Sequence, residues 1–277
     1  MMKKPIKGIF FDIDGTLRDF SSGKIPDSTK EALLAAREAG LLLFVATGRH
    51  VLEMEEEDLL EGIAFDGYVT LNGQYCYCGE TVVYELPINQ ADVRRTLELL
   101  KEEPFPCLFM EKDRMYINMV DQVVKTVQEG IGTRIPPVVD VERAVSQKIY
   151  QMIPYVSADM KQKLAKRLTD CVFISWHDGF AWDVIPASGS KWEGIRRMAE
   201  HYGLSMDEVA AIGDGHNDVS MISGAGLGIA MGNAADEVKK AAGYVTDPIE
   251  KDGLKHAVFY ILDQNFKSEF SGGMNHE

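Results

Sequence analysis

The chain is poor in cysteine, in positive charge and in long apolar runs. It has four cysteines in 277 residues, Cys76, Cys78, Cys107 and Cys171. Cys76 and Cys78 stand two apart, which is not C-x-x-C spacing, and no second Cys/His pair completes a zinc set. Free thiols in a reducing compartment are therefore expected. Lys plus Arg number 29 against 43 Asp plus Glu, a net charge of −14. That balance argues against a nucleic-acid partner, which needs a basic footprint. No run reaches the ~18–20 apolar residues that a membrane span requires. The N-terminal stretch is basic but lacks the apolar core of a signal peptide, so a cytoplasmic protein without a membrane partner is expected.

What is present is ordinary globular material, 45% hydrophobic and 26% charged. Ile6–Phe11, Leu41–Ala46, Tyr68–Leu71, Val209–Ile212 and Leu227–Ala230 read as short buried strands. Helices are expected at about 27–39, capped by Asp27 or Ser28 and stopped by Gly40, and at 51–61, 191–202 and 234–242, with a last helix starting at Gly253. Alternating strands and helices indicate a parallel sheet covered on both faces.

Between Pro87 and Pro186 the rhythm changes to hairpins and intervening helices, including a hairpin turn at His177-Asp178-Gly179. The fold class expected is thus α/β, a doubly wound parallel-sheet (Rossmann-like) core of residues 1–86 and 187–277. An α+β domain of residues 87–186 is inserted into it. The tail 268–277 is polar and expected to fray.

Three polar clusters directly follow predicted strands: Asp12/Asp14, Thr47/Gly48 and Asp214/Asn217/Asp218. A parallel sheet would gather them beyond its carboxyl edge, where such folds bind ligands. Taken singly, each cluster is explained by a helix cap or a turn; three at equivalent positions are not.

Carboxylates this close repel unless a cation or a shared proton compensates. Hard oxygen ligands suit Mg²⁺, which commonly joins a few carboxylates to a substrate phosphate. The acidic chain must then attract a phosphate ester locally, through a cation, the Lys191 ammonium and backbone N–H groups. A carboxylate can attack as the nucleophile, and a second one two residues on can protonate the leaving oxygen.

Phe11-Asp12-Ile13-Asp14-Gly15-Thr16-Leu17 resembles the first motif of the haloacid dehalogenase (HAD) superfamily. Ala46-Thr47-Gly48-Arg49 resembles the second, Ser190-Lys191 the third, and Gly213-Asp214-Gly215-His216-Asn217-Asp218 the fourth. All four occur in order over essentially the whole chain. The insert is similar to the type IIB cap of Cof-type phosphatases, and Asp183–Pro186 and Ile229–Ala234 also resemble Cof-type segments.

The resemblance implies an Mg²⁺-dependent phosphoric monoester hydrolase acting on a small phosphorylated metabolite: a sugar phosphate, a nucleotide or a cofactor phosphate. It implies Asp12 as nucleophile and metal ligand. It makes Asp14 the general acid/base, ligating metal through its carbonyl. Thr47, Gly48, Asn217 and Lys191 would hold the phosphoryl group, and Asp214 and Asp218 would complete the metal set. A monomer or homodimer is expected. A phosphomutase using the same aspartyl-phosphate is the nearest alternative, and a non-catalytic phosphate-binding regulatory module a more distant one.

Trp192 stands where the family commonly has a small residue, so its ring either narrows the site or packs inward. His216 is expected to face solvent or act as a cap rather than as a ligand. Arg49 could touch substrate or make a structural ion pair. Arg114, Arg134, Arg143 and Lys148 of the insert have no motif behind them. Neither does Trp176-His177-Asp178.

Overall fold

The structure is a computed structural model that describes residues 4–176 and 179–272. It divides into two compact units. One comprises Met1–Arg49, Asp58–Tyr84 and Ser190–Glu277; the other comprises His50–Glu57 and Glu85–Gly189.

The first unit is built on an eight-stranded sheet. In spatial order its strands are Tyr244–Val245, Leu227–Ala230, Val209–Gly213, Gly8–Phe11, Leu42–Ala46, Gly67–Thr70, Tyr75–Cys78 and Thr81–Glu85. The first six run parallel, and Tyr75–Cys78 pairs antiparallel with Gly67–Thr70. Near-continuous apolar strands such as Gly-Ile-Phe-Phe, buried throughout, are what a sheet covered on both faces demands.

Alternation along each strand then sorts the side chains. Phe10 and Phe44 stack with centroids 4.4 Å apart. They belong to a core shared with Ile195, Met198 and Ala199 of the Lys191–His201 helix and Met221 and Ile222 of the Val219–Gly224 helix. The Asp27–Glu38 and Gly253–Gly272 helices pack on each other, and the former on Leu42–Ala46.

Phe11 pairs with Ile212 on one side and with Val45 on the other, and Ala46 pairs with Val69. Asp214, Asp12, Thr47 and Leu71 therefore leave four adjacent strands at one edge. The first strand is flanked by Val209–Gly213 and Leu42–Ala46, so the winding direction reverses at Asp12, the usual ligand position of such folds.

The second unit carries a five-stranded sheet ordered Met115–Ile117, Cys107–Met110, Gln151–Pro154, Trp182–Pro186, Cys171–Ser175, with every pairing antiparallel. Phe109, Tyr116, Met152 and Val184 form its core with Val93, Leu97 and Leu164 from the Gln90–Glu102 and Ala158–Arg167 helices.

Local boundaries differ from the sequence reading in instructive places. The helix expected at 51–61 ends at Glu56, because Asp58, Glu61 and Gly62 all adopt positive φ. The first long helix starts at Asp27 after Pro26, with no side-chain cap. Residues 50–57 join the second unit although sequence spacing places them with the first. His50 is fully buried; its Nδ1 accepts from Leu52 N–H at 3.0 Å, and its Nε2 lies 2.7 Å from the Glu111 carbonyl. The two roles together require the Nε2–H tautomer, which donates to Glu111.

The tail is helical to Gly272, while residues 273–277 and the turn residues His177 and Asp178 lie outside the described residues. All four cysteines are free. No described helix is long and apolar enough to cross a membrane.

Candidate active site

Asp12 begins the site. Its N–H donates to the Ile212 carbonyl at 3.0 Å, which extends the sheet pairing by one residue and fixes where the side chain starts. The chain then turns at Gly15, φ +80°, where a Cβ would stand 2.2 Å from Asp214 Oδ2. Only glycine brings the first and fourth motifs this close.

Lys191 is the first residue of its helix, capped by Ser190, whose Oγ accepts from Glu193 N–H at 3.1 Å. Its ammonium is buried and donates to Asp12 Oδ1 and Asp218 Oδ1, both at 2.6 Å. Asp218 is committed on its other oxygen as well. Oδ2 accepts from the N–H groups of Asp214 at 3.0 Å and Gly215 at 2.9 Å. Asp218 thereby closes the 213–218 loop from behind and aims Asp214. Asp12 Oδ2 has no hydrogen bond among the described residues and is the open oxygen of the pair.

Asp214 Oδ1 accepts from the Thr16 hydroxyl at 3.1 Å, and its Oδ2 from Asn233 Nδ2 at 3.2 Å. Asn233 Nδ2 also donates to the Gly15 carbonyl at 2.9 Å, and its Oδ1 accepts from Ile249 N–H at 3.1 Å. One amide thus pins the first motif to the fourth.

Oxygens of Asp12, Asp214 and Asp218 all lie within 4.8 Å of one another. Burial pushes the Asp12 carboxyl well above the usual carboxylate range; Lys191 counters this, and Asp218 and Asp214 add to it. Asp214 is pushed up to about 7, first by burial and then by Asp218. Burial opposes the charge on Lys191, yet Asp12 and Asp218 outweigh it and hold its pKa above that of an ordinary lysine.

Two buried carboxylates and a partly buried one against one ammonium leave a surplus of negative charge, and the donor set is all oxygen. Both features fit a hard divalent cation. The Asp14 carboxylate faces two arginines instead. Arg49 Nε donates to Oδ2 at 2.8 Å, and Arg18 Nη1 lies 3.5 Å from Oδ1.

Thr47 continues the strand edge. Its N–H donates to Val69 O at 2.8 Å and its Oγ1 accepts from Arg49 N–H at 3.0 Å. Asn217 Nδ2 donates to Asn72 Oδ1 at 2.9 Å, and a Cβ on Gly48 would stand 3.2 Å from the Asn72 amide atoms. Asn72 is buried, with φ 55° and ψ 33°. The sequence reading does not single out Asn72 or Asn233. The signal for Asn72 was available, an Asn-Gly pair directly after a predicted strand.

Trp192 packs inward: a Cβ on Gly224 would be 2.4 Å from its ring, and it joins the apolar core rather than the site. His216 is exposed and pairs through Nδ1 with Glu237. Arg49 makes the ion pair with Asp14. In the second unit Arg143 binds both oxygens of Glu111, at 2.7 and 2.8 Å, Lys148 pairs with Glu85, and Arg134 lies 3.9 Å from Glu56. Trp176 Nε1 donates to Asp183 Oδ1 at 2.9 Å.

Residues 9–258 match the family model of the haloacid dehalogenase-like hydrolases. YkrA of Bacillus subtilis (strain 168) is 34% identical over 255 residues, covering 91% of this chain and 96% of that protein. The pyridoxal phosphate phosphatase YbhA of Escherichia coli (strain K12) is 29% identical over 272 residues, covering 92% and 98%. Among solved structures, a HAD subclass IIB sugar phosphatase superposes with a TM-score of 0.81 at 35% identity, over 92% of this chain and 99% of that one.

Proposed function

The chain belongs to the haloacid dehalogenase-like hydrolases, and from that premise we propose that it is a phosphatase of small phosphomonoesters that works through an aspartyl-phosphate on Asp12 with Mg²⁺ as cofactor. The observation that carries the reading is the Asp12–Lys191–Asp218 chain. It holds Oδ1 of Asp12 and leaves Oδ2 open.

Asp12 Oδ2 attacks phosphorus as the ester P–O bond breaks, and the leaving oxygen takes its proton from the Asp14 carboxyl. Asp14 then takes a proton from water, the water oxygen attacks phosphorus, and the Asp12–phosphorus bond breaks to release inorganic phosphate. Asp12, the Asp14 carbonyl and Asp214 would hold Mg²⁺, with Asp218 beside them. The ion would neutralise the crowded carboxylates and the phosphoryl oxygens. Lys191 offsets charge between Asp12 and the phosphoryl group. Thr47, the Gly48 N–H and the Asn217 amide offer the remaining donors.

The second unit is read as the cap that sets specificity. The substrate class is a sugar phosphate, a nucleotide or a cofactor phosphate. Two relatives named for a pyridoxal phosphate and a sugar phosphate activity support that range.

The test is phosphate release from a panel of such esters, with and without Mg²⁺, beside Asp12→Ala. Mg²⁺-dependent release abolished by the substitution is expected; full activity in the variant overturns the mechanism.

A further inference from the structure

The second, third and fourth motifs are joined by a loop that no motif covers. The Leu71–Gly73 turn follows the Gly67–Thr70 strand and touches the loops of the second, third and fourth motifs. Asn72 N–H donates to the Thr47 carbonyl at 3.0 Å, and Leu71 N–H to the Arg49 carbonyl at 3.2 Å. Asn72 Oδ1 accepts from Asn217 Nδ2 at 2.9 Å. Gly73, φ +91°, sits so close to Ser190 that a Cβ would meet its carbonyl oxygen at 2.1 Å, immediately before Lys191. Gln74 Nε2 donates to the Asn72 carbonyl at 3.0 Å and braces the turn from within the core.

This arrangement has a chemical consequence for Asn217. A terminal amide has two N–H bonds and one oxygen, and it can rotate to present either end. With one N–H committed to Asn72 Oδ1, the other N–H is fixed as a donor, and the oxygen is turned away toward Gly215, where a Cβ would lie 2.7 Å from it. A phosphoryl oxygen accepts hydrogen bonds and is repelled by an amide oxygen.

We propose that Asn72 is a positioning residue that acts through Asn217, holding its amide with a donor toward the phosphoryl group while its backbone fixes the Thr47 loop. The inference rests on the phosphoryl site proposed above. Left-handed φ is what an asparagine tolerates better than other residues carrying a side-chain acceptor of this reach, so one residue meets both demands.

The test uses the full chain with Mg²⁺ and inorganic phosphate as the probe, with affinity read by calorimetry. Asn72→Gly keeps the left-handed backbone and loses the acceptor. Asn72→Ala loses the same acceptor but strains the backbone. Both should weaken phosphate by the same roughly three- to tenfold, the span of one net hydrogen bond, although the alanine variant melts lower. Asn217→Ala should give a similar loss, and Asn72→Gly combined with Asn217→Ala no further loss, the non-additivity of residues acting as one unit.

The inference is overturned if Asn72→Gly leaves phosphate affinity intact while Asn217→Ala lowers it, if the losses multiply, or if they track melting temperature. If wild type fails to bind phosphate, or Asn217→Ala changes nothing, the phosphoryl-site reading itself fails and takes the inference with it.

Discussion

The Lys191 ammonium lies 2.6 Å from Asp12 Oδ1 and is fully enclosed. A second carboxylate, Asp218, meets it from another side at the same distance. One buried cation thereby makes two buried anions tolerable while engaging only one oxygen of Asp12.

Replacing Lys191 with Met keeps the volume and removes the charge. Two enclosed carboxylates then face each other, and the loss is about 3 kcal/mol or more, typical of a buried pair broken from one side. Urea unfolding with chelator present reads it. Mg²⁺ should restore part of the stability, because it supplies the missing positive charge, while phosphate release stays at background.

Asp14→Asn keeps the side chain's shape but cannot exchange the proton, and it gives up the charge that Arg49 and Arg18 face. The turnover number should fall by roughly 10²–10⁴, the usual worth of general acid–base catalysis, with little change in KM. Arg49→Met frees the Asp14 carboxylate from its 2.8 Å partner. It should lower kcat more than it raises KM, by roughly tenfold or more, as a misplaced catalytic group does. Equal loss in both parameters would assign Arg49 to substrate binding instead.

His50 is buried as a neutral ring. Burial lowers its pKa, against the Glu111 carbonyl, Asp113 and Glu55, which raise it. Below about 6.5 the unfolded chain takes up a proton that folded His50 resists. Its contribution is therefore complete above that pH and is lost as pH falls through the lower folded value. Protonation would also set an Nδ1–H against the Leu52 N–H that caps the helix. His50→Asn keeps a capping acceptor without the titration. The denaturation midpoint of the wild type should drop relative to this variant between about pH 7 and 5. A constant difference would refute the assignment.

Gly73→Ala introduces a Cβ 2.1 Å from the Ser190 carbonyl at φ +91°. The cost should be about 2 kcal/mol or more, from the left-handed backbone and the clash together. Gly79→Ala shares the positive φ but has no atom within 4 Å of the new Cβ. It should cost only the backbone part. Thermal melts of the two variants separate strain from contact.

Much of this was readable from the chain, for physical reasons that differ by element. Gly-Ile-Phe-Phe and Leu-Leu-Phe-Val-Ala are apolar on both faces, which only a covered sheet accommodates, so the strand–helix order was plain. The loops carrying Asp12, Thr47 and Asp214 were visible because their chemistry sits in short local patterns. The Asn72-Gly73 turn after a predicted strand was equally local, but its pairing was not legible, because its partner Asn217 is 145 positions away. Asn233 lay within the Ile229–Ala234 resemblance, but its partners did not show; they are the Gly15 carbonyl and the Asp214 carboxylate. The early end of the 51–56 helix was hidden because an acidic run contains no breaker; three positive φ values in 58–62 decide it. The fate of Trp192 depended on Gly224, a glycine 32 positions away by sequence numbering.

The two-segment makeup of the second unit bears on how such proteins can be recombined. A graft that exchanges only residues 85–189 between relatives would leave the native His50 behind, so its buried ring would rely on a foreign backbone to place the carbonyl that Glu111 now offers. The heritable module is two stretches of chain, 50–57 and 85–189, and a chimaera that moves both together keeps the ring and its carbonyl as one matched pair.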